Sequence, residues 1–153
     1  MENAIKLIIP AKLHHLEEII AIENSAFNIP WTKNQFKNDI LFDTDSENWV
    51  YIMDELVAGY IFGWIIHDEF HLNNIAVHSE YLRRSIGKEL MRHIISMVIS
   101  RYIKVSLLEV SANNIPAQKC YKSLGFTQMG IRKDYYSKGD DAILYYLDLI
   151  KNG

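Results

Sequence analysis

Between Trp49 and His78 the chain carries three stretches, WVYIM, LVAGYIFGWII and FHLNNIAVH, dense in β-branched and aromatic residues. Only Asp54-Glu55 and Asp68-Glu69 separate them. Such residues suit the pleated, half-buried surface of a strand, and short polar breaks between the runs read as turns. A meander of antiparallel strands therefore forms the centre of the chain, and the rest must supply what covers it.

The flanks change period. Leu13, Leu16, Ile20 and Glu23, with Ile19 alongside, stand at helical spacing over residues 11–24. They predict an amphipathic first helix with a glutamate on its apolar stripe. The loop SAFNIPW leads to TKNQF, where Thr32 and Gln35 have capping-box spacing. Trp31 and Phe36 stand where a hydrophobic staple would hold the helix entry. After residue 85 the stripe Leu90, Ile94, Val98, with Met91 and Ile95 beside it, predicts a long helix. VSLLEV (105–110) reads as a short buried strand, Asn114 as the cap of a short helix, and Gly125 as its C′ residue. FTQMGI and DAILYYLDL are the last two strand-like segments. The predicted order is two helices, three strands, helix, strand, helix, two strands, which is an α+β (mixed α/β) domain. With 153 residues and no linker or repeat, one domain over 1–153 is expected.

Composition narrows the class. The formal net charge of −3 argues against a general nucleic-acid binder. Cys120 is the only cysteine, so no internal disulfide forms and a reducing compartment fits. There is no apolar run of roughly 20 residues to span a bilayer and no signal-peptide pattern. A soluble cytoplasmic protein without a membrane partner is expected.

Three constellations bear on chemistry. In NNIAVHSEYLRRSIGKELM a strand runs through a basic loop into a helix. A helix N-terminus offers unpaired N–H groups and partial positive charge to an anion, and Arg83, Arg84 and Lys88 would add to it. Gly87 allows close backbone approach. An ordinary capped helix with a solvated basic face fits the same residues. Position 85, a serine, is expected to take ordinary negative φ. In VSLLEV, alternation places Glu109 on one face with Val105 and Leu107, where desolvation would make it a better proton acceptor near neutrality. A structural ion pair is the other reading. Tyr121, twelve residues on, shares a helix side with Ala117 and Leu124 and is either a functional hydroxyl or core. His67 and His71 do not form a zinc motif, because the segment HDEFH spans a predicted turn.

Taken together these segments resemble the GNAT acyltransferases, and within them the RimI-like branch, bacterial enzymes that acetylate the N-terminus of a small-subunit ribosomal protein. The resemblance is carried by LLEVSANNIPAQKCYKSLGF, IRKDYYSKGDDAILYYLDL and, more loosely, AFNIPWTKNQF. LRRSIG departs from the family's loop signature, with Leu82 at its first position and Ser85 at its first glycine. The resemblance implies a GNAT fold: a mostly antiparallel twisted sheet of six to seven strands, about four helices, and a splayed strand pair at the acetyl-CoA site. It implies Glu109 as general base and Tyr121 as general acid. The acetyl-CoA contacts would be the backbone of Ile75, Ala76 and Val77, the loop Arg83, Arg84, Ser85, Ile86, Gly87, Lys88, then Asn114 and Tyr121. Phe27, Trp31, Asn73, Tyr135 and Tyr136 would border the acceptor, the N-terminal segment of a ribosomal protein. The resemblance also implies direct transfer with no acyl-enzyme intermediate, and no metal is expected. Two rivals remain: a lysine or small-molecule amine as acceptor, and a non-catalytic acyl-CoA-binding module.

Overall fold

The computed structural model describes residues 5–152. Its strands are β1 (Lys6–Pro10), β2 (Ser46–Met53), β3 (Leu56–Ile66), β4 (Glu69–Val77), β5 (Val105–Ser111), β6 (Thr127–Ser137) and β7 (Asp140–Asp148). The helices are α1 (Leu16–Ala26), α2 (Lys33–Leu41), α3 (Ile86–Ser100), α4 (Ile115–Ser123) and α5 (Leu149–Asn152). Hydrogen-bonded neighbours run in the order β1-β2-β3-β4-β5-β7-β6, a single seven-stranded sheet. The chain divides into two compact units. The first holds residues up to Trp64 together with Asn73–Ile94; the second holds Ile65–Leu72 and the residues from Ile95 on.

In the first unit β1 and β2 pair antiparallel from Lys6↔Met53 to Pro10↔Trp49. β2 pairs antiparallel with β3 from Ser46↔Trp64 to Met53↔Leu56, with an irregularity between Tyr51 and Ile52. Asp54 and Glu55, the first predicted break, both take positive φ (51° and 72°). Two such residues make the turn whose twist suits a two-residue hairpin. The α1 stripe differs from the expected one: Leu16, Ile19, Ile22 and Glu23 are buried, whereas Leu13 lies in a 3-10 turn and is 45% exposed. The helix starts three residues later than its apolar spacing suggests, which rotates the stripe toward Ile22. α2 follows its predicted cap. Thr32 Oγ1 accepts the Gln35 N–H, Gln35 Oε1 accepts the Thr32 N–H, and the Trp31 ring stands 5.2 Å from Phe36.

Phe36, Tyr60 and Phe62 lie edge to face at 5.0–6.0 Å in a core with Ile19 and Val50. Each ring buried there contributes about 1.5–3 kcal/mol of transfer free energy. Gly59 is required by close approach, since a Cβ there would stand 2.9 Å from the Ala76 carbonyl oxygen and 3.2 Å from Ile86 Cγ2. β1 is absent from the sequence-based order because KLIIP is short, ends in proline and shows no inside-out alternation.

In the second unit β4 and β5 pair in parallel from Glu69↔Val105 to His71↔Leu107. β5 then pairs antiparallel with β7 along its whole length, Val105↔Asp148 to Ser111↔Ala142. β6 lies outside β7, with shifts in register near Gln128/Gly130 and between Arg132 and Ser137. Leu108, Val110, Phe126, Tyr145 and Leu147 are buried. His71 bonds Glu69 at 2.9 Å, and His67 takes positive φ in the turn between β3 and β4. Among the described residues no helix is long and apolar enough to cross a membrane.

Candidate active site

The anion loop belongs to the first unit. It follows a 3-10 turn at Ser79–Tyr81 and enters α3 with Ser85, whose carbonyl accepts the Glu89 N–H at 2.9 Å. Arg83 and Ser85 both have positive φ, 66° and 61°. The expectation of ordinary backbone geometry at Ser85 is therefore wrong. Left-handed residues on either side of Arg84 turn successive amides to one side, the concave arrangement that holds anions. Each left-handed non-glycine residue costs about 1–2 kcal/mol, a strain that a lone apolar sequence pattern does not reveal.

Gly87 has a different reason. A Cβ there would meet only Val77 Cγ2 at 3.8 Å, so the protein itself leaves room above it. Ile86 is 2% exposed and faces the core, leaving its amide as the group that can serve a ligand. Arg84 lies 5.5 Å over the Tyr81 ring and 3.8 Å from Met53 Sδ, while Arg83 is exposed. This loop offers backbone amides, a helix N-terminus and exposed arginines, which together fit a pyrophosphate.

Also in the first unit, Ile75 and Val77 of β4 are half-buried and Ala76 is buried. Asn73 keeps its side-chain nitrogen buried without a hydrogen-bond partner. Phe27 is 38% exposed, whereas Trp31 packs on Phe36 and Phe62. The staple reading of Trp31 holds, and the residue stays half-buried.

The proton-transfer candidates belong to the second unit. On β5 the alternation is as expected, but the face carrying Val105, Leu107 and Glu109 is the half-exposed one; Ser106, Leu108 and Val110 face inward. Glu109 keeps 31% of its side-chain exposure and pairs with Arg132 at 3.4 Å. The Arg132 guanidinium also stands 5.5 Å from the Tyr135 ring, which meets Tyr136 at 5.1 Å and 85°. Burial pushes the Tyr136 hydroxyl up to about 12, with the charge of Glu109 adding to it.

Tyr121 is 6% exposed, and burial raises its pKa above the ordinary tyrosine value, with Cys120 and Tyr136 as lesser causes. A group so held keeps its proton at neutral pH. Its place is set by the end of α4. The Phe126 N–H donates to the Tyr121 carbonyl and the Gly125 N–H to Lys122, both at 3.0 Å, with Gly125 at φ +100°. This is a Schellman closure, and its customary apolar contact is the Tyr121–Phe126 ring pair at 5.9 Å. The start of α4 is held equally. Asn114 Oδ1 accepts the Ala117 N–H at 3.2 Å, and Gln118 Nε2 donates to the Ser111 and Ala112 carbonyls. Gln118 Oε1 accepts from the Tyr145 hydroxyl on β7 at 3.3 Å. α4 is thus tied to the end of the strand that carries Glu109.

Arg132 and Gln118 have no role in the sequence reading. Arg132 becomes visible only in the strand register, where β7 pairs Leu144 with Glu109 and Ala142 with Arg132. Among the described residues no three His, Cys, Asp or Glu side chains cluster to hold a metal.

Comparison with known proteins agrees with this architecture. The model of the acetyltransferase (GNAT) family matches residues 16–126. A Bacillus subtilis relative, provisionally named ribosomal protein bS18-alanine N-acetyltransferase, is 34% identical over 139 residues, 90% of this chain and 92% of its own. The ribosomal protein bS18-alanine N-acetyltransferase of Escherichia coli K12 is 32% identical over 134 residues, 84% of this chain and 87% of its own. The crystal structure of the Escherichia coli ribosomal-protein-S18-alanine N-acetyltransferase superposes with a TM-score of 0.88 at 28% identity, covering 95% of this chain and 94% of that one. A family match over most of the chain, joined to a seven-stranded sheet and an amide-lined loop at the start of α3, leads to one conclusion: this chain belongs to the GNAT acetyltransferase family.

Proposed function

We propose that this chain acts as a single catalytic domain transferring the acetyl group of acetyl-CoA to the N-terminal α-amine of a small-subunit ribosomal protein. The alanine terminus of bS18 is the acceptor its relatives' names favour. The observation that carries the reading is the presence, within the second unit, of both a half-exposed carboxylate and a buried tyrosine whose helix is tied to the carboxylate's strand. A binding module has no use for both.

Glu109 takes a proton from the attacking amine, directly or through water. The nitrogen bonds to the thioester carbonyl carbon, the C–S bond breaks, and Tyr121 gives its phenolic proton to the departing sulfur. The products are the N-acetylated terminus and CoA, with no acyl-enzyme. An α-amine has a pKa of about 7.7–8.0 against about 10.4 for lysine, so a carboxylate can manage its deprotonation more readily. The loop Arg83–Lys88 holds the pyrophosphate, the backbone of Ile75–Val77 pairs with the pantetheine, and Asn114 lies by the thioester. Phe27, Trp31, Asn73, Tyr135 and Tyr136 border the acceptor. The cytoplasm, where ribosomal proteins are made, is the proposed compartment.

Purified protein supplied with acetyl-CoA and N-terminal peptides, free lysine and polyamines tests this. Turnover is expected on a peptide with a free alanine terminus. Turnover on lysine or polyamines alone would replace the acceptor, and CoA binding without turnover on any amine would make the chain a binding module.

A further inference from the structure

Glu23 lies in the first unit, away from any role assigned so far, and is 1% exposed. Burying a carboxylate costs several kcal/mol unless its oxygens are well supplied with donors. Here Oε1 accepts from the Tyr60 hydroxyl at 2.5 Å and from Asn74 Nδ2 at 2.8 Å, and Oε2 accepts the Trp31 backbone N–H at 2.8 Å. All three donors are neutral. An apolar residue here would leave those three buried donors without an acceptor, about 1–3 kcal/mol each, so Glu23 does stabilise the fold; stability alone does not explain why its oxygens are shared between the loop and two strands.

What the glutamate does achieve is geometric. Its main-chain carbonyl accepts the Phe27 N–H at 3.1 Å, while its side chain accepts the Trp31 N–H. One residue therefore clamps the five-residue loop Phe27–Trp31 at both ends. The loop carries exposed Phe27 and Ile29, at 38% and 85%. The other carboxylate oxygen ties the clamp to β3 through Tyr60 and to β4 through Asn74. Asn74 adjoins Asn73, whose buried nitrogen lacks a protein partner, and alternation sends that side chain to the opposite face of the strand.

We propose that Glu23 is a positioning residue for acceptor recognition: it holds loop 27–31 in one conformation against β3 and β4, so that the acceptor's N-terminal segment meets a loop already ordered. The inference rests on the functional reading above. Its mechanism is pre-organisation, in which ordering done by the fold need not be done by binding.

Glu23→Gln tests it closely. If the new amide oxygen stays on Tyr60 and Asn74, its NH₂ group faces the Trp31 N–H and that one bond is lost. The expected result is a KM for the alanine-terminal peptide raised about tenfold, the scale of one lost buried hydrogen bond. The KM for acetyl-CoA and the midpoint of the pH–rate profile should stay unchanged. Hydrogen exchange should show the Trp31 amide protected in the wild type and released in the variant. Tyr60→Phe, which leaves the carboxylate two donors, should raise the peptide KM about threefold and serves if Glu23→Gln does not fold. A lowered melting temperature with both KM values unchanged would make Glu23 merely structural. A displaced pH midpoint with an unchanged peptide KM would make it a titrating participant. Should the wild type acetylate only lysine or a polyamine, the functional reading fails, and the same KM split is read on that amine.

Discussion

Two glutamates lie on apolar stripes in this chain, and their surroundings separate their uses. Glu23, on α1, is buried and surrounded by neutral donors that occupy both oxygens. Glu109, on β5, keeps part of its surface in water and pairs with an Arg132 that is 55% exposed. A carboxylate enclosed by fixed neutral donors organises what surrounds it. One that faces solvent, with an exposed cation as its companion, is open to a reacting group, which is the ground for proposing Glu109 as the base. Residue type and stripe position are the same in both; access to solvent and the nature of the donors differ.

The most severe test of that contrast is the same substitution at both sites. Glu109→Gln should lower kcat about 10²–10⁴-fold with the KM for acetyl-CoA nearly intact, whereas Glu23→Gln should raise the peptide KM. If the two variants show the same kinetic pattern, the distinction collapses. The tyrosines beside them sharpen it. Tyr121→Phe should cost about 10²-fold in kcat, whereas Tyr60→Phe should act on the peptide KM; wild-type turnover in Tyr121→Phe would return Tyr121 to the core.

Backbone substitutions come next. Gly125→Ala places a Cβ at φ +100°, 3.3 Å from Leu147 Cδ1. It should destabilise by about 1–3 kcal/mol, measured by denaturant unfolding, and lower kcat through the Tyr121 position that the α4 terminator sets. Ser85→Gly should stabilise by about 1 kcal/mol, because glycine relieves the left-handed strain, while changing the KM for acetyl-CoA only modestly. A hundredfold tighter KM would mean that the serine impairs the loop. The smallest effect is electrostatic. The charge of Glu109 helps raise Tyr136 to about 12; removing it in Glu109→Gln should bring that hydroxyl down part of the way toward 10, read by ultraviolet titration. An unmoved Tyr136 would show that burial alone holds it.

Much of the architecture is local and so was legible in the chain. Runs of β-branched and aromatic residues located the central strands and the period of 3.6 located α3, and Thr32 with Gln35, Asn114 and Gly125 marked helix ends because caps act within a few residues. β1 escaped because a five-residue strand carries too little pattern, and the α1 stripe was misphased because a 3-10 turn displaced the helix start. The likeness to the acetyltransferase family rested on short segments that keep their residues in order, and it implied the proposed base and acid, Glu109 and Tyr121.

Tertiary structure alone decided the rest. Arg132 reaches Glu109 across the β7 register, 23 positions away in sequence. The strain at Ser85 arises from a loop whose backbone turns no side-chain pattern encodes. Glu23 looked like one more residue on a helix stripe until Tyr60 and Asn74, 37 and 51 positions on, were brought to its oxygens. Sequence shows which groups are present and how each segment curls; which donors a buried carboxylate meets is settled only when distant segments pack together.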